Sequence, residues 1–337
     1  MIDLNKVKRY PLKERKSQVR VADFGRPFSP GDGLSAFLDS LPNILAAKNL
    51  RQVVEAIHQA RQMGKPVIFS LGGHVIKCGL GPIISDLIER GIVTGIVLNG
   101  SGIIHDFEIA LVGETSEDVA ASLPLGEFGM AEETGRLINE AIAKGVSKGW
   151  GAGKSVCELI ASLNPPYASY SLLNSAHKHG RPVTVHLTIG ADIIHQHPEA
   201  NGAALGEASF IDFKLLASQI TGLDKGGVFA NFGSAVVIPE VFLKALNLAR
   251  NLGYEVANFT TVNFDMIHHY RPSENIIKRP TTDGGKGYYL VGHHELMIPL
   301  LAGAVVEHWR QHNGTDKSSL RRLQRKTERS SGFKDHA

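Results

Sequence analysis

The chain has only two cysteines, Cys78 and Cys157, too few for a disulfide framework and without a zinc-ligand spacing, so a reducing, cytoplasmic setting is expected. No uncharged apolar run reaches bilayer-spanning length, and the N-terminal MIDLNKVKRY starts with charge and lacks the apolar centre of a signal peptide. A soluble protein that does not enter a membrane is therefore expected. The dinucleotide fingerprint G-x-G-x-x-G is missing as well: its third position is Ile84 after Gly79 and Gly81, and His105 after Gly100 and Gly102. Asn99 stands where that motif carries its ribose-binding acid. Trp150-Gly151-Ala152-Gly153-Lys154-Ser155 invites a phosphate-loop reading but fails on spacing, because the required earlier glycine is Lys148. With no strand before it, this stretch is expected to be a loop entering a helix at Ser155.

With 337 residues and 43% hydrophobic composition, the chain can bury a large core. Its net charge of +3 is concentrated at the ends. Residues 1–20 carry seven Lys/Arg against two acids and residues 310–337 eight against three, so each end is +5 and the body between them −7. Basic ends of this kind are more often solvated chain than a nucleic-acid surface, and no nucleic-acid partner is expected.

The stretch Pro66 to Glu108 organises the rest. Val67-Ile68-Phe69, apolar on both faces, ends in Gly72-Gly73, and Gly95-Ile96-Val97-Leu98 ends in Asn99-Gly100-Ser101-Gly102. Ile83, Ile84, Leu87 and Ile88 between them recur at helical spacing. This is a βαβ unit with a glycine loop at each strand's carboxyl end, the edge where open parallel sheets bind ligands. The glycines suit either a cofactor cradle or tight βα turns.

Residues 1–33, charged and then rich in Gly and Pro, read as an arm with little core of its own. Helices are expected over Leu50 to Met63, Ala131 to Val146, Ala168 to His179, Glu207 to Ile220, Pro239 to Leu252 and His294 to Trp309. A loop is expected over 113–128, and further strands over Pro182 to Thr188, Gly227 to Phe232 and Val256 to Val262. The alternation predicts one doubly wound, Rossmann-like α/β domain with a mostly parallel sheet over residues 34–309, followed by a basic, disordered tail over 310–337.

Histidine is prominent in the second half, with Asp192, His195 and His197 close in sequence and His268-His269 and His293-His294 after later strands. Such a set at strand ends could hold a transition metal, but no spacing matches H-E-x-x-H or a related motif, so no metal is expected. A non-catalytic or metal-binding protein using these histidines remains the alternative to an enzyme.

From about Leu34 to Trp309 the chain resembles the deoxyhypusine synthases, NAD-binding proteins of Rossmann-like fold. GIVLNGSGIIHDFE is similar to that family's strand followed by Thr-Ala-Gly-Gly and an acidic Glu-Glu-Asp. SYSLLNSAHKHGRPVTVHLTIG resembles its helix and the strand ending in Thr-Asp-Gly, and Gly233-Ser234-Ala235-Val236-Val237 a glycine-rich strand-to-helix turn. Arg271-Pro272-Ser273-Glu274 looks like its Arg-Pro-Asp-Glu, and LMIPLLAGAVVE like its C-terminal helix.

The resemblance implies an NAD pocket made by Gly72, Gly73, His74, Asn99, Gly100, Ser101, Gly102, Asp106, Thr188, Gly233 and Ser234. Ile189 replaces a cofactor-binding Asp, and His74 an Asn. His105 falls among the family's acids and is expected to be catalytic, with Glu274 as the acid that binds a cationic amine. The family's catalytic lysine aligns with Pro280, and Lys278 lies two residues earlier, a shift of roughly 6 Å in extended chain. Pro239 and Glu240 replace its paired histidines. The implied activity is NAD-dependent transformation of a small amine or polyamine by a homo-oligomer, a tetramer by resemblance. Hydride transfer and aminoalkyl transfer are both within reach, and authentic hypusine formation is not expected.

Overall fold

The computed structural model of the chain describes residues 1–313. Six strands form one parallel sheet in the order β3-β2-β1-β4-β5-β6. They are β1 Val67–Leu71, β2 Gly95–Asn99, β3 Val183–His186, β4 Val228–Phe232, β5 Thr260–Asp265 and β6 Lys286–Val291. Helices join them on both faces, which makes this the doubly wound, Rossmann-like α/β fold expected from the alternation. The mostly parallel sheet is in fact parallel throughout.

The central strands β1, β2 and β4 are mostly apolar because the sheet is buried on both sides there. Val67, Phe69 and Leu71 of β1, Ile96 and Leu98 of β2 and Val228, Ala230 and Phe232 of β4 belong to one core. Their alternates Ile68, Val97 and Phe229 belong to a second core under the helices Gly202–Thr221 and Val237–Asn251.

The strand expected from Val256 begins later, at Thr260. Asn258 takes a left-handed φ of 54°, and Ala257 is held aside by Asp224, whose Oδ1 accepts its N–H at 3.0 Å. The helix expected at Ser155 starts earlier, at Ala152, because Asp212 holds its first turn: Oδ2 accepts from Gly153 N and from Val185 N of β3, each at 2.9 Å. An aspartate thus sits where a phosphate loop would hold phosphate. The expected helix from Ala168 is a short turn, Ala168–Tyr170, followed by the helix Leu172–Lys178.

Residues 1–33 form three short turns with exposed side chains, tied to the body by Arg26 N to Ser40 O at 2.8 Å and Asn43 N to Asp23 O at 2.9 Å. The tail expected over 310–337 lies outside the described residues beyond Asn313. Among the described residues no helix is long and apolar enough to cross a membrane.

The helix Leu172–Lys178 depends on a residue far from it in sequence. Asp106, 1% exposed, accepts hydrogen bonds from Ser171 Oγ at 2.5 Å, Leu172 N at 2.8 Å and Leu173 N at 3.0 Å. Burial pushes its carboxyl above the usual range, and these three bonds pull it back. Asp106→Ala leaves the three donors unanswered in the interior. It should cost about 2–4 kcal/mol of unfolding free energy in urea titration. A loss below about 0.5 kcal/mol would show that the cap is dispensable.

Candidate functional site at the carboxyl edge of the sheet

The strand order reverses at β1, which pairs with β2 on one side and β4 on the other. A reversal of this kind opens a crevice at the carboxyl edge. The ladder runs one residue past the strands there: Gly72 N donates to Phe232 O at 2.8 Å, Gly233 N to Phe264 O at 3.0 Å and Gly292 N to Asp265 O at 3.0 Å. The loops after β1, β4 and β6 are thereby locked to one another.

The glycines let these loops touch. A Cβ on Gly72 would lie 2.5 Å from Gly233 O, and one on Gly73 would strike Ser101 Oγ and lie 3.2 Å from His105 Cδ2. Gly233 has a φ of 66°, and a Cβ there would lie 2.5 Å from His294 Nε2. Gly72, Gly73, Ser101, His105 and Gly233 therefore come together as one surface, joined by His294, which follows β6.

The second glycine loop is less open than its sequence suggests. The space a Cβ would take on Gly100 is filled by the Asp192 carboxylate, whose Oδ2 also accepts from Thr188 N at 2.9 Å. Burial pushes the Asp192 carboxyl above its usual range. Gly100 opens the helix Gly100–Val112, so a carboxylate of the chain itself stands where a cofactor phosphate would approach. Asn99 is that helix's N-cap, its Oδ1 accepting from Gly102 N at 3.1 Å and Ser101 Oγ at 2.9 Å. Gly102 is buried, and a Cβ there would meet Leu98. Its glycine serves packing beneath the loop rather than approach of a ligand.

Two further expectations are corrected. Asp106 spends both oxygens on the cap of Leu172–Lys178, so it belongs to the interior and not to a cofactor pocket. Glu274 and Lys278 do meet, but as an ion pair: Nζ lies 2.6 Å from Oε1 on the π-helix Ser273–Lys278, with Arg279 Nε 3.9 Å from Oε2. Lys278 is 67% exposed, as a solvated lysine would be. Ser234 is buried and its Oγ accepts from Ile238 N at 3.3 Å, at the start of the helix Val237–Asn251.

His105 is held from behind. Its Nδ1 lies 2.7 Å from Thr115 Oγ1, which donates its one proton to Glu108 Oε2 at 2.5 Å. The hydroxyl must then accept from His105, which assigns the proton to Nδ1 and leaves Nε2 as the basic nitrogen. Burial would raise the Glu108 carboxyl, but the nearby His105 ring and hydrogen bonds from Thr115 and Thr134 hold it below its usual range.

Sequence reasoning missed Asp265 and Cys78. Asp265 ends β5 and is 5% exposed. Its Oδ1 accepts from Met266 N at 2.8 Å, but no hydrogen bond reaches the buried Oδ2, with His269 Nε2 at 3.7 Å. His294 is 1% exposed, and its Nδ1 has no partner either. Burial lowers its pKa, with Asp265 acting against that and His74 adding to it. The His74 ring lies 6.0 Å from that of His294, and Cys78 Sγ is 3.4 Å from His74 Nε2 and 4.0 Å from Glu295 Oε2. His294 was visible as half of a histidine pair. An aspartate closing an apolar strand was the available signal for Asp265.

His195 and His197 bond elsewhere, to the backbone of neighbouring loops. His195 Nδ1 accepts from Gly190 N at 3.2 Å, and His197 Nε2 lies 2.8 Å from Gly129 O.

No family model and no curated protein matches the sequence. Solved structures match the fold. A protein assigned as a deoxyhypusine synthase from Entamoeba histolytica aligns with 84% of this chain and 96% of its own, at a TM-score of 0.51 and 13% identity. The fold is deoxyhypusine synthase-like. A conserved protein assigned as LOR/SDH from Methanococcus maripaludis S2 aligns with 79% of this chain and 71% of its own, at a TM-score of 0.50 and 15% identity. AgrE, solved as a ternary complex with ornithine and NAD+, matches 78% of this chain at a TM-score of 0.50 and 16% identity. The chain spans 33% of the AgrE chain. At such identities the likeness is one of fold.

Cys78 lies within this cluster, yet burial and the nearby Glu295 carboxylate push its thiol above the usual range. Burial, with Asp106, Asp212 and Glu158 adding to it, does the same to Cys157. Both thiols should therefore react with iodoacetamide at neutral pH more slowly than free cysteine, read by mass spectrometry over time. Labelling of Cys78 faster than free cysteine would reveal a thiolate and overturn this assignment.

Proposed function

We propose that the chain binds NAD in the crevice between the β1 and β4 loops and transforms a small amine or polyamine there. The observation that carries the proposal is the pair of polar atoms without a hydrogen bond, Asp265 Oδ2, with only His269 Nε2 at 3.7 Å, and His294 Nδ1, buried at the carboxyl edge beside three mutually packed glycine loops. Buried polar groups are nearly always paired, and one left unpaired at a sheet's ligand edge is accounted for by a ligand that completes it. These atoms suit the carboxamide of a nicotinamide or the ammonium of an amine. The fit is poorer at Gly100, where Asp192 already fills the approach.

NAD, when bound, supplies a hydride acceptor. The chain's own residues supply the rest. Asp265 takes the anionic role that the family resemblance would give to Glu274, which is already neutralised by Lys278 and Arg279. His294, held toward its neutral form by burial, and His105, whose Nδ1 is engaged by Thr115, are the bases within the cluster. His74 borders it from the loop after β1. The fold shared with AgrE, whose complex holds ornithine and NAD+, supports a cationic amine or amino acid as substrate. Lys278, exposed and paired, is not assigned an imine intermediate. The exposed apolar side chains of the N-terminal arm, among them Leu4, Tyr10 and Leu12, support assembly into a homo-oligomer.

Calorimetry on Asp265→Asn with NAD, and with ornithine or spermidine on the NAD-loaded protein, tests the assignment. Loss of a buried charged partner costs about 2–5 kcal/mol, so amine affinity should fall more than roughly tenfold while NAD affinity holds within about twofold. Unchanged affinity for both amines in a folded variant would remove Asp265 from the site.

A further inference from the structure

A second constellation lies near the opposite, amino edge of the sheet. The helix Leu45–Gln62 carries Glu55 and His58 one turn apart, and the helix His294–Asn313 carries His308 and His312 one turn apart. Where the two helices pack, one ring nitrogen from each of His58, His308 and His312 lies within 4.8 Å of the others. The ring centroids are 4.9 Å apart for His58 and His308, 5.1 Å for His58 and His312, and 4.1 Å for His308 and His312. Glu55 Oε2 stands 3.0 Å from His308 Nε2. We propose that His58, His308 and His312, with Glu55, form a binding site for a zinc-class divalent cation that fastens the C-terminal helix to Leu45–Gln62.

The burial and orientation of the rings carry this beyond a chance gathering of histidines. His58 is 8% exposed, and its Nδ1 has no hydrogen-bond partner. A buried imidazole facing two others is a poor arrangement for packing alone, and a shared cation answers it. His312 Nδ1 lies 2.9 Å from the His308 carbonyl, to which it can only donate. That bond fixes the tautomer and leaves Nε2 with its lone pair, the backbone bond that metal-ligating histidines ordinarily make.

Three imidazole nitrogens and one carboxylate oxygen complete a tetrahedron, the arrangement of a closed zinc site. Zinc–nitrogen bonds of about 2.0–2.1 Å place ligand nitrogens roughly 3.3 Å apart, within reach of small ring rotations from the present spacing. The N-donor set disfavours calcium and magnesium, which take oxygen ligands. Glu55, His308 and His312 also line a cavity of ≈ 790 Å³, bounded on its far side by Gly226, Asn258 and Lys286, so an ion has a path in from solvent. His312 is exposed and His308 half-buried, which opens the site on the same side.

The test uses the full chain produced without a polyhistidine tag and stripped with a chelator. Cobalt(II) should bind at one equivalent per chain with the intense visible absorption of a tetrahedral ion. Zinc should displace it and raise the melting temperature. His308→Ala and His312→Ala should each weaken cobalt binding roughly a hundredfold, and the exposed His312 variant should melt like the parent when metal-free. Absence of a tetrahedral cobalt spectrum in the parent would overturn the proposal. So would stoichiometric binding at the parent's affinity in both variants.

Discussion

The architecture rests on aspartates turned into the protein, two of which, Asp106 and Asp212, are buried against backbone N–H groups of segments far from them in sequence. Asp106 caps Leu172–Lys178, Asp212 ties the first turn of Ala152–Leu163 to β3, and Asp192 closes over Gly100. Each supplies a carboxyl where a helix begins or a loop turns, and Asp106 and Asp212 are screened from water, which makes their hydrogen bonds strong and their removal costly. Burial raises all three carboxyls, Asp212 to about 7, so the fold tolerates these groups only because the N–H donors hold them. Helix N-termini that could attract phosphate elsewhere in such folds are here served by the chain itself. The β1 and β4 loops are left as the proposed ligand edge.

A polar ladder inside the sheet keeps that place rigid. Ser70 of β1 donates to Asn231 Oδ1 of β4 at 2.9 Å, and Asn231 Nδ2 reaches both Asn263 Oδ1 of β5 at 2.5 Å and the Ser234 carbonyl at 2.9 Å. Side chains on three neighbouring strands therefore act as one network, and its last bond runs into the β4 loop. Networks of this kind hold geometry more firmly than apolar contacts, because each member left unpaired would carry a penalty. The ladder places Gly233 under His294 and sets Asp265 two residues beyond Asn263 at the strand's end.

Much of this fold was legible in the residues, and less of its site. β1, β2 and β4 announce themselves as mostly apolar runs ending in glycine or in Asn-Gly, since a sheet buried on both faces takes few polar residues along them. β5 was misplaced toward its N-terminus because Val256 extends the apolar pattern, whereas a left-handed turn at Asn258 delays the strand. The glycine loops were located correctly, but what fills the space beside each glycine depends on residues brought from other loops. Asp192 over Gly100 and Leu98 beneath Gly102 have no local signature. Asp106 looked like a site acid because its role as a cap depends on Ser171, 65 positions away. Glu274 and Lys278 looked like chemistry because the ion pair between them, four residues apart, is as ordinary on a helix as it is invisible in a motif.

The central claim is that the ligand edge lies between the β1 and β4 loops, with Asp265 and His294 facing what binds there. A crystal structure of the full chain grown with NAD and ornithine tests it most directly. The account predicts a nicotinamide ring or the ornithine ammonium within hydrogen-bond distance of Asp265 or His294, with Asp192 still against Gly100. A dinucleotide that displaces Asp192 to reach Gly100, or that lies in the cavity beside His308, would contradict it.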